Sequence, residues 1–306
     1  MTVNSASTGA EWFLDGTAKL QRAETKTQRE ISSGFRIQDA ADSPSQTPEL
    51  VGLTSSLVSR QAWQTNLTRI QAETNAADTA LGSAIHLIES ARTIALQGAG
   101  TATTSTDRQN LSAQVQSIQQ QIVNLANTTT EGRYIFGGDQ DTAPPYELNV
   151  ASATGVNKLT AQSATRTIAD PDGQPILQSR TALTIFDRQT AAGPAPDNAF
   201  AALQNLQVAL GANDSAGIGT ALISLESVST SLNQQQSLYG IDGQRIAQAQ
   251  TDNNTRVTSL QSQISAIRDT DIVQAATDLT QESTAQSAAF SAQAQIPRKS
   301  LFDYLG

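Results

Sequence analysis

The longest uninterrupted helical pattern in the chain, residues 48–98, limits what the chain can fold into. It contains no internal proline, and apolar or alanine residues recur along it at three- and four-residue steps, from Leu50 to Ala95. Such a helix is on the order of 70 Å long, at about 1.5 Å per residue. A single rod of this extent is typical of a coiled coil or an extended helical bundle.

Helical periodicity recurs on both sides of the middle of the chain. The sequence predicts a helix over 18–32 and another over about 106–127, where apolar residues follow one another at steps of four and three. Helix returns near residue 197 and again near 218. We predict breaks in the last long run at 237–243 and 268–272, and an end at Pro297.

The middle of the chain has a different character. Glycine and proline are frequent between 132 and 145, and the periodicity stays poor until about 196. Short runs at 133–136 and 180–187 read as strands, and Asp-Pro-Asp-Gly at 170–173 reads as a turn. We therefore predict a small β-rich insert over residues 135–196.

The predicted fold is mainly α, an elongated coiled coil or helical bundle made from N- and C-terminal segments, with a small β-rich insert. Residues 48–134 pack with 197–265 as a helical rod, and 135–196 form the insert. Residues 1–47 are an N-terminal helix and hinge, and residues 266–306 form a C-terminal helix. The thin, alanine-rich stripes of both ends bury too little surface to offset chain entropy without neighbours.

Composition and charge exclude several classes of protein. The formal net charge is −9 with no basic cluster, so we expect no nucleic-acid partner. The absence of cysteine excludes disulfides and thiolate metal sites. We expect no membrane insertion, because no apolar run reaches about 18 residues. The first 20 residues lack the basic start and apolar middle of a cleavable signal peptide, so export would follow another route.

A specific interruption separates the first two helical runs. Residues 31–50 read ISSGFRIQDAADSPSQTPEL, with one glycine and two prolines in a short span. This segment resembles the Ser-Ser-Gly-x-Arg-Ile…Asp-x-Pro pattern of the bacterial flagellin family, which includes the hook–filament junction proteins. The matching residues are Ser32, Ser33, Gly34, Arg36, Ile37, Asp42 and Pro44.

Further segments extend the resemblance. DTALGSAIHLIESARTIALQGAG, beginning at Asp78, continues the same family pattern. NTTTEGRYIFGGDQDTAPPY, at 127–146, and the terminal SLFDYLG are similar to the junction proteins. Near the C-terminus, YGIDGQRIAQAQTDNN and the acidic break before the final helical stretch also match. The resemblance covers about 28–146 and 238–306 and leaves the middle unmatched.

The resemblance implies a structural subunit of the bacterial flagellum that polymerises through its terminal helices and joins hook to filament. Its partners would be further copies of itself, the other axial proteins (hook-associated proteins, flagellin and cap), an export chaperone and the type III export apparatus. It would lie outside the cell, at the hook–filament junction or in the filament. The resemblance also implies that residues 1–47 stay disordered until assembly and that residues 266–306 form an assembly helix. A filament-forming flagellin is the first alternative, and a secreted coiled-coil adaptor is a remote one.

The residues expected to make contacts between subunits follow from the terminal stripes, the interruption and the tail. Gly34 permits a backbone conformation that other residues resist, and Arg36 is expected to bridge to acidic groups of a neighbouring subunit. The full predicted set is Leu20, Ile31, Gly34, Arg36, Ile37, Asp42, Leu260, Ile264, Ile267, Leu279, Leu301, Phe302, Tyr304 and Leu305.

No constellation of residues indicates an enzyme, a cofactor site or a metal site. His86 is the only histidine, and we interpret it as a helix-surface residue because no partner for catalysis or metal binding is visible. Asp139 and Asp141 resemble half of a calcium loop but favour a plain turn. Asp39 and Asp42 are interpreted as turn and cap residues rather than as an acid–base pair.

Overall fold

The structure is a computed structural model that describes residues 4–162, 167–169, 175–178 and 180–295. Most of the described chain is helical, in the order α1, α2, α3, a series of short strands that includes the one-turn helix α4, and then α5, α6 and α7. The helices span Asn4–Ser33, Thr47–Ala99, Ser105–Ala126, Ala182–Ile185, Ala199–Gly211, Ser215–Arg268 and Ile272–Gln295. The predicted class, a mainly α bundle with a small β insert, is confirmed.

Local chemistry explains where several helices begin and end. Thr104 starts α3 with a capping box: its hydroxyl accepts from the Asp107 backbone N–H, and the Asp107 carboxylate accepts from the Thr104 N–H. The Thr104 hydroxyl, followed by the Thr104 N–H, donates to the Asp107 carboxylate and holds the pKa of that carboxyl below its usual value. Asn198 caps α5 by accepting from the Ala201 N–H at 2.9 Å. Polar residues outside the apolar stripe therefore set these boundaries.

The strands form four two-stranded antiparallel sheets in the described part of the chain. The pairs are β1 with β2 (Thr129–Thr130, Arg133–Tyr134), β3 with β4 (Tyr146–Leu148, Val156–Lys158), β5 with β6 (Thr167–Ala169, Pro175–Gln178) and β7 with β8 (Gln189–Thr190, Gly193–Pro194). Each strand thus pairs with the next strand along the chain. The insert is a string of hairpins rather than one sheet, and the first hairpin lies ahead of the predicted start at 135.

Three sequence-based assignments differ from the structure. The predicted strand at 180–187 is the short helix α4, because Thr181 and Thr184 form a reciprocal capping box and Ala182 and Ile185 are buried. The predicted break at 237–243 is absent, and α6 continues through it. The first helix begins at Asn4 instead of residue 18. The predicted turn at 170–173 and the predicted stop at Pro297 lie outside the described residues.

The chain divides into two compact units, with boundaries inside α2 and α6. Unit 1 comprises residues 1–58 and 256–306, and unit 2 comprises residues 59–255. Unit 2 holds the larger core, in which Leu81, Ile88 and Leu225 are fully buried. A smaller cluster in the same unit packs Trp63, Leu67 and Ile70 of α2 with Ile246 of α6.

Aromatic residues join the insert to the helices within unit 2. Phe136 makes edge contacts with Phe186 (ring centroids 5.7 Å apart) and with Tyr239 (6.4 Å), and Tyr146 lies 4.9 Å from Phe200. These large, fully or nearly fully buried rings supply much of the apolar area in a chain with few aromatics. The hairpins therefore belong to the core of unit 2.

Buried polar contacts fix the same region. The Tyr146 hydroxyl donates to Asp187 at 3.0 Å, and the Asn198 side chain donates to the other oxygen of that carboxylate at 2.8 Å. Burial, followed by the neighbouring Asp187 charge, raises the pKa of the Tyr146 phenol. Arg180 pairs with the buried Asp242 at 2.5 Å and stacks over Tyr239. This pairing accounts for the continuity of α6 through the predicted break, because Asp242 is satisfied from outside the helix.

Candidate assembly surfaces

In unit 1, the interruption after α1 packs against the interruption between α6 and α7. Gly34 closes α1 with its N–H donating to the Glu30 carbonyl at 2.8 Å and with φ of +76°. Its own carbonyl accepts from the Thr270 N–H at 2.9 Å, and the Arg36 N–H donates to the Arg268 carbonyl at 2.7 Å. Two segments more than 230 residues apart in sequence therefore meet through backbone hydrogen bonds.

The side chains of the two interruptions also interlock. The guanidinium of Arg268 lies 4.0 Å over the ring of Phe35. Arg36 donates to the Ile267 carbonyl at 2.8 Å and, at 3.4 Å, to Gln46. Arg36 thus already has a partner within its own chain, whereas its predicted contact with a neighbouring subunit stays a prediction.

Asp42 organises the turn that follows. Its carboxylate accepts from the Gln38 N–H at 3.0 Å and the Asp39 N–H at 2.9 Å, and Arg29 lies 3.8 Å away. The amides of Asp39 and Gln38, aided by the Arg29 charge, hold the pKa of the Asp42 carboxyl below its usual value. The interpretation of Asp42 as a turn residue agrees with this geometry.

Helices α1 and α7 pack against each other in an antiparallel direction. Phe13, early in α1, meets Phe290, late in α7, with ring centroids 6.3 Å apart, while Gly34 at the other end of α1 meets Thr270. The half-buried or buried positions of α1 include Phe13, Thr17, Leu20, Glu24, Thr27 and Ile31, at steps of four and three. Several of these seam positions are polar, so the pair buries little apolar surface.

The predicted assembly residues differ in how far unit 1 covers them. Ile37 and Ile264 are buried, each about 5% exposed. Five apolar members are half-buried: Leu20, Ile31, Leu260, Ile267 and Leu279. The four tail residues Leu301, Phe302, Tyr304 and Leu305 lie outside the described residues. Ile37 and Ile264 thus pack inside the chain, while the half-buried set keeps apolar surface accessible.

Sequence reasoning missed the most exposed apolar residues of unit 1. Trp12 on α1 and Val273 on α7 are each 78% exposed, Leu14 on α1 is 64% exposed, and Val51 and Val58 on α2 are 62% and 60% exposed. Trp12 and Val273 lie beside the periodic stripes and not on them. Val51 and Val58 are seven residues apart on a second face of α2, a spacing visible in the sequence. Exposed apolar side chains mark a contact surface where they form a contiguous patch, whereas single exposed apolar residues are ordinary.

The candidate polar residues lie in a turn and on a helix surface. Asp141 pairs with Arg133 at 3.1 Å, and His86 is exposed on α2. Over the ranges that the structure describes, no group of three histidine or carboxylate side chains is placed to hold a metal ion. Over the same ranges, no helix is both long and apolar enough to span a bilayer.

Comparisons with known proteins match the two ends of the chain. A family model described as the bacterial flagellin N-terminal helical region matches residues 12–141, and one described as the flagellin C-terminal helical region matches residues 222–305. Together they cover more than half of the chain. The chain belongs to the flagellin family. The matched spans of this flagellin-family chain include α1, both interruptions and α7, while β3 to β8 and α5 lie between them.

Curated relatives point to one branch of the family. The chain is 26% identical over 190 residues to flagellar hook-associated protein 3 of Salmonella typhimurium, an alignment covering 61% of this chain and 58% of that protein. It is 25% identical over 201 residues to the Escherichia coli protein of the same name, covering 64% of this chain and 63% of that protein. The chain thus spans less than two thirds of the length of these relatives.

A solved structure shares the fold. A putative flagellar hook-associated protein from Vibrio parahaemolyticus superposes with a TM-score of 0.64 at 18% identity, covering 74% of this chain and 100% of that one. At this identity the likeness concerns the fold alone. A flagellin-type fold therefore carries the surfaces described above.

Proposed function

We propose that the chain is a structural, non-enzymatic subunit of the bacterial flagellum that joins hook to filament. The observation that carries the proposal is the incompletely covered apolar surface of unit 1. Leu20, Ile31 and Leu279 are only half-buried there, and Trp12 and Val273 are largely exposed. The relatives named hook-associated protein 3 favour the junction over the filament body.

Assembly supplies the burial that the isolated chain lacks. Fully burying a leucine, valine or isoleucine side chain contributes about 1.5–3 kcal/mol. Several such residues on α1 and α7 would therefore offset the entropy of ordering these helices only once neighbours cover them. On this proposal, 1–47 and 266–306 become ordered on assembly, 48–134 with 197–265 form the rod, and 135–196 form the insert.

The proposed partners are further copies of this chain and the other axial proteins: hook-associated proteins, flagellin and cap. Export would take the unfolded chain through the flagellar type III apparatus with the help of a chaperone, to a final place outside the cell. Terminal helices that bury little apolar surface suit this route, because such segments are easily kept unfolded.

The proposal is tested by adding purified, labelled protein to isolated hooks and, separately, to filament fragments. Binding in a limited number of copies at hook ends, without elongation, is the expected result. Long filaments grown from this protein alone would make it a filament flagellin instead. Failure to bind either seed would contradict an axial role.

Two matched valine variants make the test specific. Val273→Ser removes an exposed apolar group from α7, and we expect it to weaken hook binding about tenfold. Val150→Ser removes a 44% exposed valine from unit 2 and should bind like the parent. Equal binding by both variants would show that α7 does not contribute to the contact.

A further inference from the structure

One end of the contact between α2 and α6 in unit 2 is more polar than the other. Thr74, Asp242 and Asn253 are buried there, at residues 60–74 of α2 and 239–253 of α6. The Asn253 side chain donates to the Arg60 carbonyl across the contact at 3.0 Å. The buried residues of α2 from 77 to 98 are all alanine, leucine, isoleucine or glycine. We name residues 60–74 and 239–253 the polar segment, whose closure needs a partner for its buried polar groups.

The apolar core of the polar segment is small and is extended by a residue of the insert. Its four buried members are Trp63, Leu67, Ile70 and Ile246, and Ile168 of β5 packs against them. A segment with few buried apolar contacts opens at low free-energy cost. Ile168 therefore helps to hold α2 and α6 together, although it belongs to neither helix.

The insert also supplies the cation that faces Asp242. Asp242 is 4% exposed, and a guanidinium nitrogen of Arg180 lies 2.5 Å from its carboxylate. Arg245, on the same helix as Asp242, is 3.9 Å from the other carboxylate oxygen, and its side chain is 66% exposed. Arg180 also lies 4.9 Å over the ring of the buried Tyr239. Without Arg180, closing the polar segment would bury a poorly compensated charge, which opposes folding strongly.

The docked insert holds Arg180 in this position. Arg180 directly precedes Thr181, the residue that caps α4. The next residue, Ala182, donates its N–H to the Phe136 carbonyl at 2.8 Å, and the Phe136 ring meets that of Tyr239 with centroids 6.4 Å apart. The guanidinium therefore reaches the carboxylate on α6 when the insert is packed on that helix.

We propose that Ile168 and Arg180 form a strap, which closes the polar segment only when the insert is docked on the helices. Both strap residues lie outside the matched family spans, 12–141 and 222–305, whereas the polar segment lies inside them. The part of the chain between these spans thus controls a contact between helices that belong to them. The contact of 84–95 with 218–232 has an apolar core of its own and does not need the strap. The strap acts in the monomer, whether or not the chain binds hooks.

Amide hydrogen exchange of the full-length monomer tests the strap. Arg180→Met removes the cation and keeps an unbranched apolar stem. Exchange within the polar segment should accelerate at least about thirtyfold, because the buried Asp242 carboxylate loses its partner. Exchange at 84–95 and 218–232 should change less than about threefold. No acceleration, or equal acceleration in all of these ranges, would overturn the proposal.

Two further variants separate the missing charge from general damage to unit 2. Arg188→Met is the matched control: it breaks the 3.0 Å pair between the 60% exposed Arg188 and Asp197, and exchange should change less than about threefold throughout. Arg180→Met with Asp242→Leu replaces the ion pair by two apolar side chains and should bring exchange back to within about threefold of the parent. A double variant that folds where the single one does not would also support the strap. A double variant that exchanges as fast as the single one, or that fails to fold, would overturn it.

The apolar half of the strap has a test of its own. Ile168→Ala should accelerate exchange of the polar segment at least about fivefold, because the small core loses an apolar contact. Leu159→Ala is the matched control: it truncates a 49% exposed leucine of the insert and should leave exchange unchanged. Equal acceleration by both variants, or none by Ile168→Ala, would contradict the strap.

Discussion

Gly34 ends α1 in a left-handed conformation, and no other atom occupies the space where a side chain would go. Its φ is +76°, and a Cβ built there would meet nothing within 4 Å. The requirement for glycine thus comes from the backbone alone. The same residue hydrogen-bonds to Glu30 and Thr270, so strain at this position would disturb the contact between the two interruptions.

We expect Gly34→Ala to destabilise unit 1 by about 1–2 kcal/mol, the cost of a left-handed alanine. Amide hydrogen exchange of residues 30–37 and 267–271 should accelerate accordingly. Gly52→Ala is the matched control: it lies inside α2 with open space around it, and it should stabilise the helix by about 0.5–1 kcal/mol. A change in stability of the same sign in both variants would contradict the explanation that the left-handed backbone conformation requires glycine at position 34.

Gly98 illustrates the opposite situation in unit 2. A Cβ at this position in α2 would clash with Cδ2 of Leu210 on α5 and would also touch Ile218 and Leu111. We expect Gly98→Ala to lower the free energy of unfolding by about 1–3 kcal/mol through overpacking, measured by urea denaturation. Gly219→Ala, in open space on α6, should be neutral or stabilising, and similar losses in both would argue against close packing at Gly98.

At the scale of elements, the two interruptions act as one joint of unit 1. One side supplies Gly34, Arg36 and the Asp42 turn, and the other supplies Arg268, Asp269 and Thr270. The Ser265 hydroxyl, followed by the Arg268 guanidinium, holds the pKa of the Asp269 carboxyl below its usual value. Both sides of the joint thus contain a carboxylate that is better stabilised in the folded chain than in the unfolded one.

This arrangement predicts a dependence on pH. A carboxyl whose pKa is lowered on folding contributes stability that is complete above its unfolded value, here 3.8 for Asp42 and Asp269, and that is lost as the pH falls toward the folded value. Hydrogen exchange at 34–46 should therefore accelerate between about pH 5 and pH 3 after correction for the intrinsic rate. Asp42→Asn should flatten that dependence, and an unchanged profile would contradict the role of this carboxylate.

At the scale of the whole molecule, the two units differ in how much core each contains. Nine residues of the 13-residue helix α5 in unit 2 are buried, whereas Thr27 on α1 and Ala275 on α7 are the only buried residues among the side chains described on those two long helices. Helices with so little burial open at low free-energy cost. This difference agrees with the proposal that α1 and α7 become well buried only when neighbouring subunits cover them.

Limited proteolysis of the monomer should therefore cleave α1 and α7 well before α3 and α5. Prior binding to isolated hooks should protect both terminal helices. The connection at 100–104 between α2 and α3 serves as the internal control. Terminal helices that stay intact while this loop is cut would contradict the proposed order of stability.

Prediction from sequence succeeded where the pattern is local and repeated. The predicted bounds of α2 and α3 lie within one or two residues of the observed bounds. A long apolar stripe at three- and four-residue steps is compatible with a helix and not with a strand. The strand predicted at 180–187 is wrong. The capping box between Thr181 and Thr184 favours a helical turn more strongly than the β-branched residues of this segment favour a strand. The break predicted at 237–243 failed because Tyr239 and Asp242 find partners in the insert, which no local pattern reveals.

The sequence by itself determined the helical class, the position of the two interruptions and the membership in the flagellin family, since periodicity, glycine and proline act through neighbouring residues. Only the tertiary structure decided that the two interruptions bind each other, that Arg36 is held by the Ile267 carbonyl, and that Trp12 and Val273 stay exposed. The physical reason is that exposure and partner choice depend on which distant segments pack together, and the spacing of residues along one helix does not contain that information.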